Sequence, residues 1–138
     1  MITKMLVAHD GSEAADKAYA MALEVAAKFA AELHAVSVVH VPELGEYVDT
    51  EAMIQAGREQ YGKLGARLRE KAGGAGRTLH FDIVVGHPAE QIVGSAERLG
   101  CDLIVLGHRG KSLFERWLTG STTKQVMSYA HCPVLVVR

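Results

Sequence analysis

The sequence predicts an α/β domain built on an open, doubly wound parallel sheet of five strands, with helices on both faces. Three observations lead there. Five short runs are apolar and rich in β-branched residues; the stretches between them carry helical patterns; and the runs are apolar at consecutive rather than alternate positions. Consecutive apolar positions imply burial on both faces, as in a parallel sheet sandwiched between helices.

Each element follows in order. Met5-Leu6-Val7-Ala8 is the first strand, and Ser12 is a suitable N-cap for an Ala-rich helix from Glu13 to Ala31, whose apolar side holds Leu23, Val25, Ala26 and Phe29. The second strand is expected from Ala35 to Val41. A second helix, from about Glu51 to Ala72, repeats Tyr61, Leu64, Leu68 and Ala72, and Gly73-Gly74-Ala75-Gly76 stops it. Phe81 to Val85 reads as the third strand. Pro88 sits near the first turn of a third helix that buries Ile92, Val93, Ala96 and Leu99 and closes at Gly100. Leu103 to Leu106 is the fourth strand, a last helix runs from about Ser121 to Ala130 and stops before Pro133, and Val134 to Val137 is the fifth strand. Strict alternation with right-handed crossovers makes a Rossmann-like sheet, for which the order 3-2-1-4-5 is expected. No repeat, low-complexity segment or linker divides the chain, so residues 1–138 are expected to form one domain.

Charge and composition exclude several functions. A formal net charge of −1, with 15 basic and 16 acidic residues mixed along the chain, gives no blanket attraction for nucleic acid or anionic membrane. No apolar run approaches the roughly 20 residues of a membrane span, nothing at the N-terminus reads as a signal peptide, and a cytoplasmic location is expected. Cys101 and Cys132 are too few and too far apart for a zinc motif or a C-x-x-C redox pair. The seven histidines lack the paired spacing of a zinc site, and most are expected at the surface or at strand ends.

The strongest chemical signal follows the fourth strand. Gly107-His108-Arg109-Gly110 is followed after nine residues by Gly120-Ser121. Glycines let a backbone approach phosphate closely, and a Ser opening a helix turns its amide and hydroxyl toward an anion. Arg109 and Lys111 add local positive charge to a loop that leaves a strand and ends at a helix. It is not a Walker A loop, because position 105 is Val where that motif needs Gly, and no G-x-G-x-x-G follows the first strand. In a doubly wound sheet, ligands bind beyond the carboxyl ends of the strands where the order reverses. With the first and fourth strands as neighbours, His9-Asp10-Gly11-Ser12 would face residues 107–121. Asp10 there has three readings: a helix-capping acid, an acceptor for a ligand amine such as the exocyclic nitrogen of adenine, or a metal ligand.

Together, Met5-Leu6-Val7-Ala8-His9-Asp10-Gly11-Ser12-Glu13, Val39-His40-Val41, Val85-Gly86-His87-Pro88, the G-x2-G-x9-G-S loop and Cys132-Pro133-Val134-Leu135-Val136-Val137 resemble the universal stress protein family, specifically its ATP-binding branch. The resemblance spans essentially the whole chain and is weakest from Pro42 to Thr78. It implies that Ala8 lines the base pocket, Asp10 recognises the adenine, and the backbone of Val41 contacts the base. It also implies that Gly107 and Gly110 approach the ribose and phosphates, with the backbone from His108 through Arg109 and Lys111 to Ser112 around them. Gly120, Ser121, Thr122 and Thr123 would then cradle the phosphates, and Mg²⁺ would bridge phosphate oxygens. A homodimer through Val134–Val137 is implied as well, in keeping with an apolar edge strand that has no internal Lys or Pro to protect it. Three function classes fit: an ATP-binding stress-response regulator with little or no hydrolysis, a slow ATPase or nucleotide transferase, and an interaction module without nucleotide. For fast hydrolysis the sequence offers cations but no convincing base.

Overall fold

The computed structural model describes residues 1–41, 49–108 and 120–138. Its elements run β1 (Lys4–Ala8), α1 (Glu13–Phe29), β2 (Glu32–Val39), α2 (Thr50–Gly74), β3 (Leu79–Val85), α3 (Pro88–Leu99), β4 (Leu103–Gly107), α4 (Gly120–Tyr129) and β5 (Val134–Val137). All pairings are parallel and the order is β3-β2-β1-β4-β5, as expected.

The consecutive apolar runs explain the layering. Neighbouring residues of a strand point to opposite faces. Met5 and Val7 of β1, Leu33 and Ala35 of β2 and Leu103 and Val105 of β4 therefore share one core with Tyr19, Ala22 and Ala26 of α1 and Tyr61, Leu64 and Leu68 of α2. Their neighbours Leu6, Ala8, Val36, Val38, Ile104 and Leu106 build a second core under α3 and Val126 of α4. Tyr19 also ties α1 to α2, its hydroxyl donating to the Leu68 carbonyl at 2.6 Å, and burial pushes its phenol up to about 12.

The helix ends follow local chemistry. Ser12 caps α1 by accepting the Ala15 N–H at 3.1 Å, and Asp49 caps α2 by accepting the Ala52 N–H at 3.0 Å. Pro88 opens α3, and Gly100, with φ +71°, closes it. At the other end of the sheet, the Asp102 carboxylate accepts the N–H groups of Thr3 and Lys4 and the Thr3 hydroxyl, binding the start of β1 to the start of β4.

Several boundaries correct the sequence reading. β2 begins at Glu32 and ends at Val39, because Lys4 to Ala8 of β1 pair with Glu32 to Val36 and hold the polar Glu32 and His34 in the sheet. Val41 is accordingly half-buried beyond the strand rather than at its end. α1 stops at Phe29, where Ala30 turns left-handed at φ +52°. α2 continues through Gly73 and Gly74, and the chain turns at Ala75 and Gly76.

Candidate functional site

β1 has β2 on one side and β4 on the other, so the connections leaving β1 and β4 diverge at the reversal of strand order. The two loops singled out in the sequence leave from these carboxyl ends.

On the β1 side, His9 prolongs the sheet by donating its N–H to the Val36 carbonyl at 2.9 Å, while its own carbonyl accepts the Ser37 hydroxyl at 2.7 Å. Asp10 follows, 1% exposed, with Oδ1 accepting the Ser12 N–H at 2.9 Å. Gly11 takes φ +86°, a left-handed turn that glycine makes without a Cβ penalty, and this swings the chain from strand to helix. The capping role considered for Asp10 thus belongs to Ser12, and the Asp10 carboxylate braces the turn before it. Ala8 is fully buried in the core under α3.

His9 was expected near the crevice, but its ring is fully buried beneath α1. Nδ1 accepts the Gly11 N–H at 3.0 Å, so Nε2 carries the proton and donates to Asp16 Oδ1 at 2.9 Å. Arg67 donates to the same oxygen at 3.2 Å. The His9 hydrogen bond holds the Asp16 carboxyl below its ordinary range against the opposing effect of burial, and the charge and hydrogen bond of Arg67 add to the lowering.

On the β4 side, Gly107 ends the strand, and exposed His108 donates its N–H to the Val137 carbonyl at 2.6 Å. A Cβ on Gly107 would collide with the backbone carbonyl of Ala14 and lie 3.0 Å from the Ala15 nitrogen. The close approach this glycine permits in the structure is to the first turn of α1. Arg109, Gly110, Lys111 and Ser112 lie outside the described residues. α4 returns the chain to the start of β5, so Gly120, Ser121, Thr122 and Thr123 form its first turn at the carboxyl end of the sheet. Ser121 is exposed and both threonines are buried; Thr123 Oγ1 has no hydrogen-bond partner among the described residues.

A wall that the sequence reading missed comes from α2. A cleft of about 480 Å³ lies between Asp10 and Gly11 on one side and Gln60, Tyr61, Lys63, Leu64 and Arg67 on the other. The signal was available in the spacing, since residues 60, 63, 64 and 67 share one helical face. Gln60, Lys63 and Arg67 form the polar flank of the stripe that was read only for its apolar members.

The family model for the universal stress protein family matches residues 1–138. A universal stress protein of Methanocaldococcus jannaschii is 36% identical, over 98% of this chain and 81% of its own length. The universal stress protein UspA of Lactobacillus plantarum superposes with a TM-score of 0.82 at 29% identity, covering 99% of this chain and 98% of that one. A universal stress protein solved in complex with cAMP gives a TM-score of 0.75 at 26% identity, over 99% of this chain and 97% of that one. No helix among the described residues is long and apolar enough to cross a membrane. With a sheet ordered β3-β2-β1-β4-β5 and these likenesses along its whole length, the chain belongs to the universal stress protein family.

Proposed function

We propose that the chain is an ATP-binding regulator, with Mg²⁺ on the phosphates, that hydrolyses its nucleotide little or not at all. The observation that carries this reading is the buried Asp10 carboxylate at the end of β1, beside the β4 end that leads to the glycine loop and the α4 N-terminus. Asp10 and the backbone of Val41 serve the adenine, with Ala8 behind it; Gly107, His108, Arg109, Gly110, Lys111 and Ser112 serve the ribose and phosphates. Gly120, Ser121, Thr122 and Thr123 hold the phosphates. The helix N-terminus favours anions, and the buried Thr123 hydroxyl, without a hydrogen-bond partner among the described residues, fits a site completed by a polar ligand. Bound Mg²⁺ would neutralise phosphate charge. The relative solved with cAMP supports an adenine nucleotide as the ligand class.

The nucleotide released on denaturing the purified protein tests the reading directly. ATP supports it, ADP or a mixture points to hydrolysis, and no nucleotide, together with a flat ATP titration, leaves an interaction module. Asp10→Ala is expected to weaken ATP more than ITP, which lacks the exocyclic amine, by about 1.5–3 kcal/mol for a hydrogen bond to a charged acceptor. Equal losses by calorimetry would confine Asp10 to bracing the Gly11 turn.

The regulator is further proposed to act as a homodimer through β5, which lies at the edge of the sheet. Ile104 of β4 and His108 just beyond it donate to the carbonyls of Pro133 and Val137, so the backbone groups of Val134 and Val136 point to the outer edge. A symmetric strand pair would cover that edge. Val136→Pro removes an outward amide and leaves the β4 ladder intact, and light scattering is expected to show a monomer. A dimer retained by this variant places the interface elsewhere.

A further inference from the structure

The start of the sheet, at the end opposite the crevice, holds a cluster that the spacing of histidines in the sequence does not reveal. β2 and β3 pair in parallel with His34 beside His80, and the two rings stack at 4.7 Å between centroids and 24° between planes. Glu32, two residues before His34, lies on the same face of the strand. Its carboxylate spans both rings: Oε2 is 3.1 Å from His34 Nε2, and Oε1 is 3.7 Å from His80 Nε2. One ligand atom from each residue lies within 4.8 Å of the other two.

We propose that Glu32, His34 and His80 form a binding site for a late first-row divalent cation, with Zn²⁺ as the representative ion. Two imidazole nitrogens and a carboxylate oxygen are a donor set these ions favour, and it leaves a coordination position for water. Tetrahedral zinc bonds of this kind put ligand atoms about 3.3 Å apart, so small side-chain rotations suffice to admit the ion. The site is both backed and open. His34 is only 12% exposed and is fixed by a strand paired on both sides, whereas Glu32 and His80 are 44% and 52% exposed and give an ion access.

A competing cation is already in place. Lys4 Nζ lies 3.3 Å from Glu32 Oε2 and also donates to the Leu99 carbonyl at the end of α3 at 3.0 Å. Lys4 must give way, or repel the ion, when the site fills.

The test is a Zn²⁺ titration of the full chain, free of nucleotide, by competition with a chromophoric chelator. The parent protein is expected to bind one ion per chain. His34→Gln and His80→Gln should each lower the affinity at least about tenfold, since even partners outside the ligand shell cost about that much. His80 is half exposed on an edge strand, so its variant is expected to keep the parent circular dichroism spectrum. His40→Gln, at the opposite end of β2, should bind as the parent does. Lys4→Met should bind more tightly, because it removes the competing charge. The site is overturned if the parent shows no saturable binding, if the His80→Gln protein binds as tightly as the parent, or if His40→Gln costs as much. An affinity that does not rise in Lys4→Met overturns the share given to Glu32.

Discussion

Gly107→Ala is expected to destabilise the protein by about 3 kcal/mol, the upper part of the range for overpacking a well-filled interior. For a chain of this size that lowers the thermal midpoint by roughly 10 °C, read by circular dichroism. The added Cβ alone suffices, because it would meet the Ala14 carbonyl and the Ala15 nitrogen, which are backbone atoms rather than a side chain able to swing away. Nor can the helix retreat freely. Ala14 and Ala15 sit in the first turn of α1, where Ser12 holds the Ala15 N–H and Ala15 is fully buried. Gly107→Val should do more harm still. A midpoint within about 2 °C of the parent would mean that the end of β4 can shift without loss.

Gly120→Val is expected to separate binding from folding. Gly120 is the first residue of α4, and valine is a better helix former than glycine, so the variant should unfold no more readily than the parent. ATP affinity should nevertheless fall by about 100- to 1,000-fold in calorimetry, equivalent to two charge-assisted hydrogen bonds. The cause would be steric: a branched side chain in the space where phosphate has to approach the backbone. Unchanged affinity in the folded variant would remove the phosphates from this helix end. The pair of glycines makes the comparison informative, since one is expected to fail through stability and the other through the ligand alone.

Most of the fold was legible because burial on both faces leaves consecutive apolar residues, and β1 and β4 are such runs; β5 is as apolar but only partly buried. β2 was legible only from Ala35 onward, because Glu32 and His34 carry no strand signal of their own and belong to the sheet through their pairing with Lys4 and Leu6. The same register sets His34 beside His80, 46 positions later in the sequence, which no local spacing encodes. At the candidate site, the places of Asp10 just beyond β1 and of residues 120–123 in the first turn of α4 were legible. Gly107 was read as approaching the ribose and phosphates, and what lies against it in the structure is a helix turn contributed by residues 14 and 15. His9 was misread because its position beside Asp10 says nothing about its ring, which alternation turns under α1 to meet Asp16.

The position of β1 in the sheet bears on how the chain is made. β1 is translated before the other four strands, and β2 can flank it as soon as residues 32–36 emerge, but its other flank waits for Leu103 to Val105. At typical synthesis rates of about 5–20 residues per second, that flank stays bare for roughly 5–20 s. Throughout that interval the nascent chain presents the open edge of Met5, Leu6 and Val7, residues that are fully buried in the finished protein. Ribosome-bound chains halted before residue 103 should therefore be the species most readily captured by a chaperone that recognises unpaired apolar strands. Capture should drop once β4 has left the exit tunnel and the Asp102 carboxylate can close on Thr3 and Lys4.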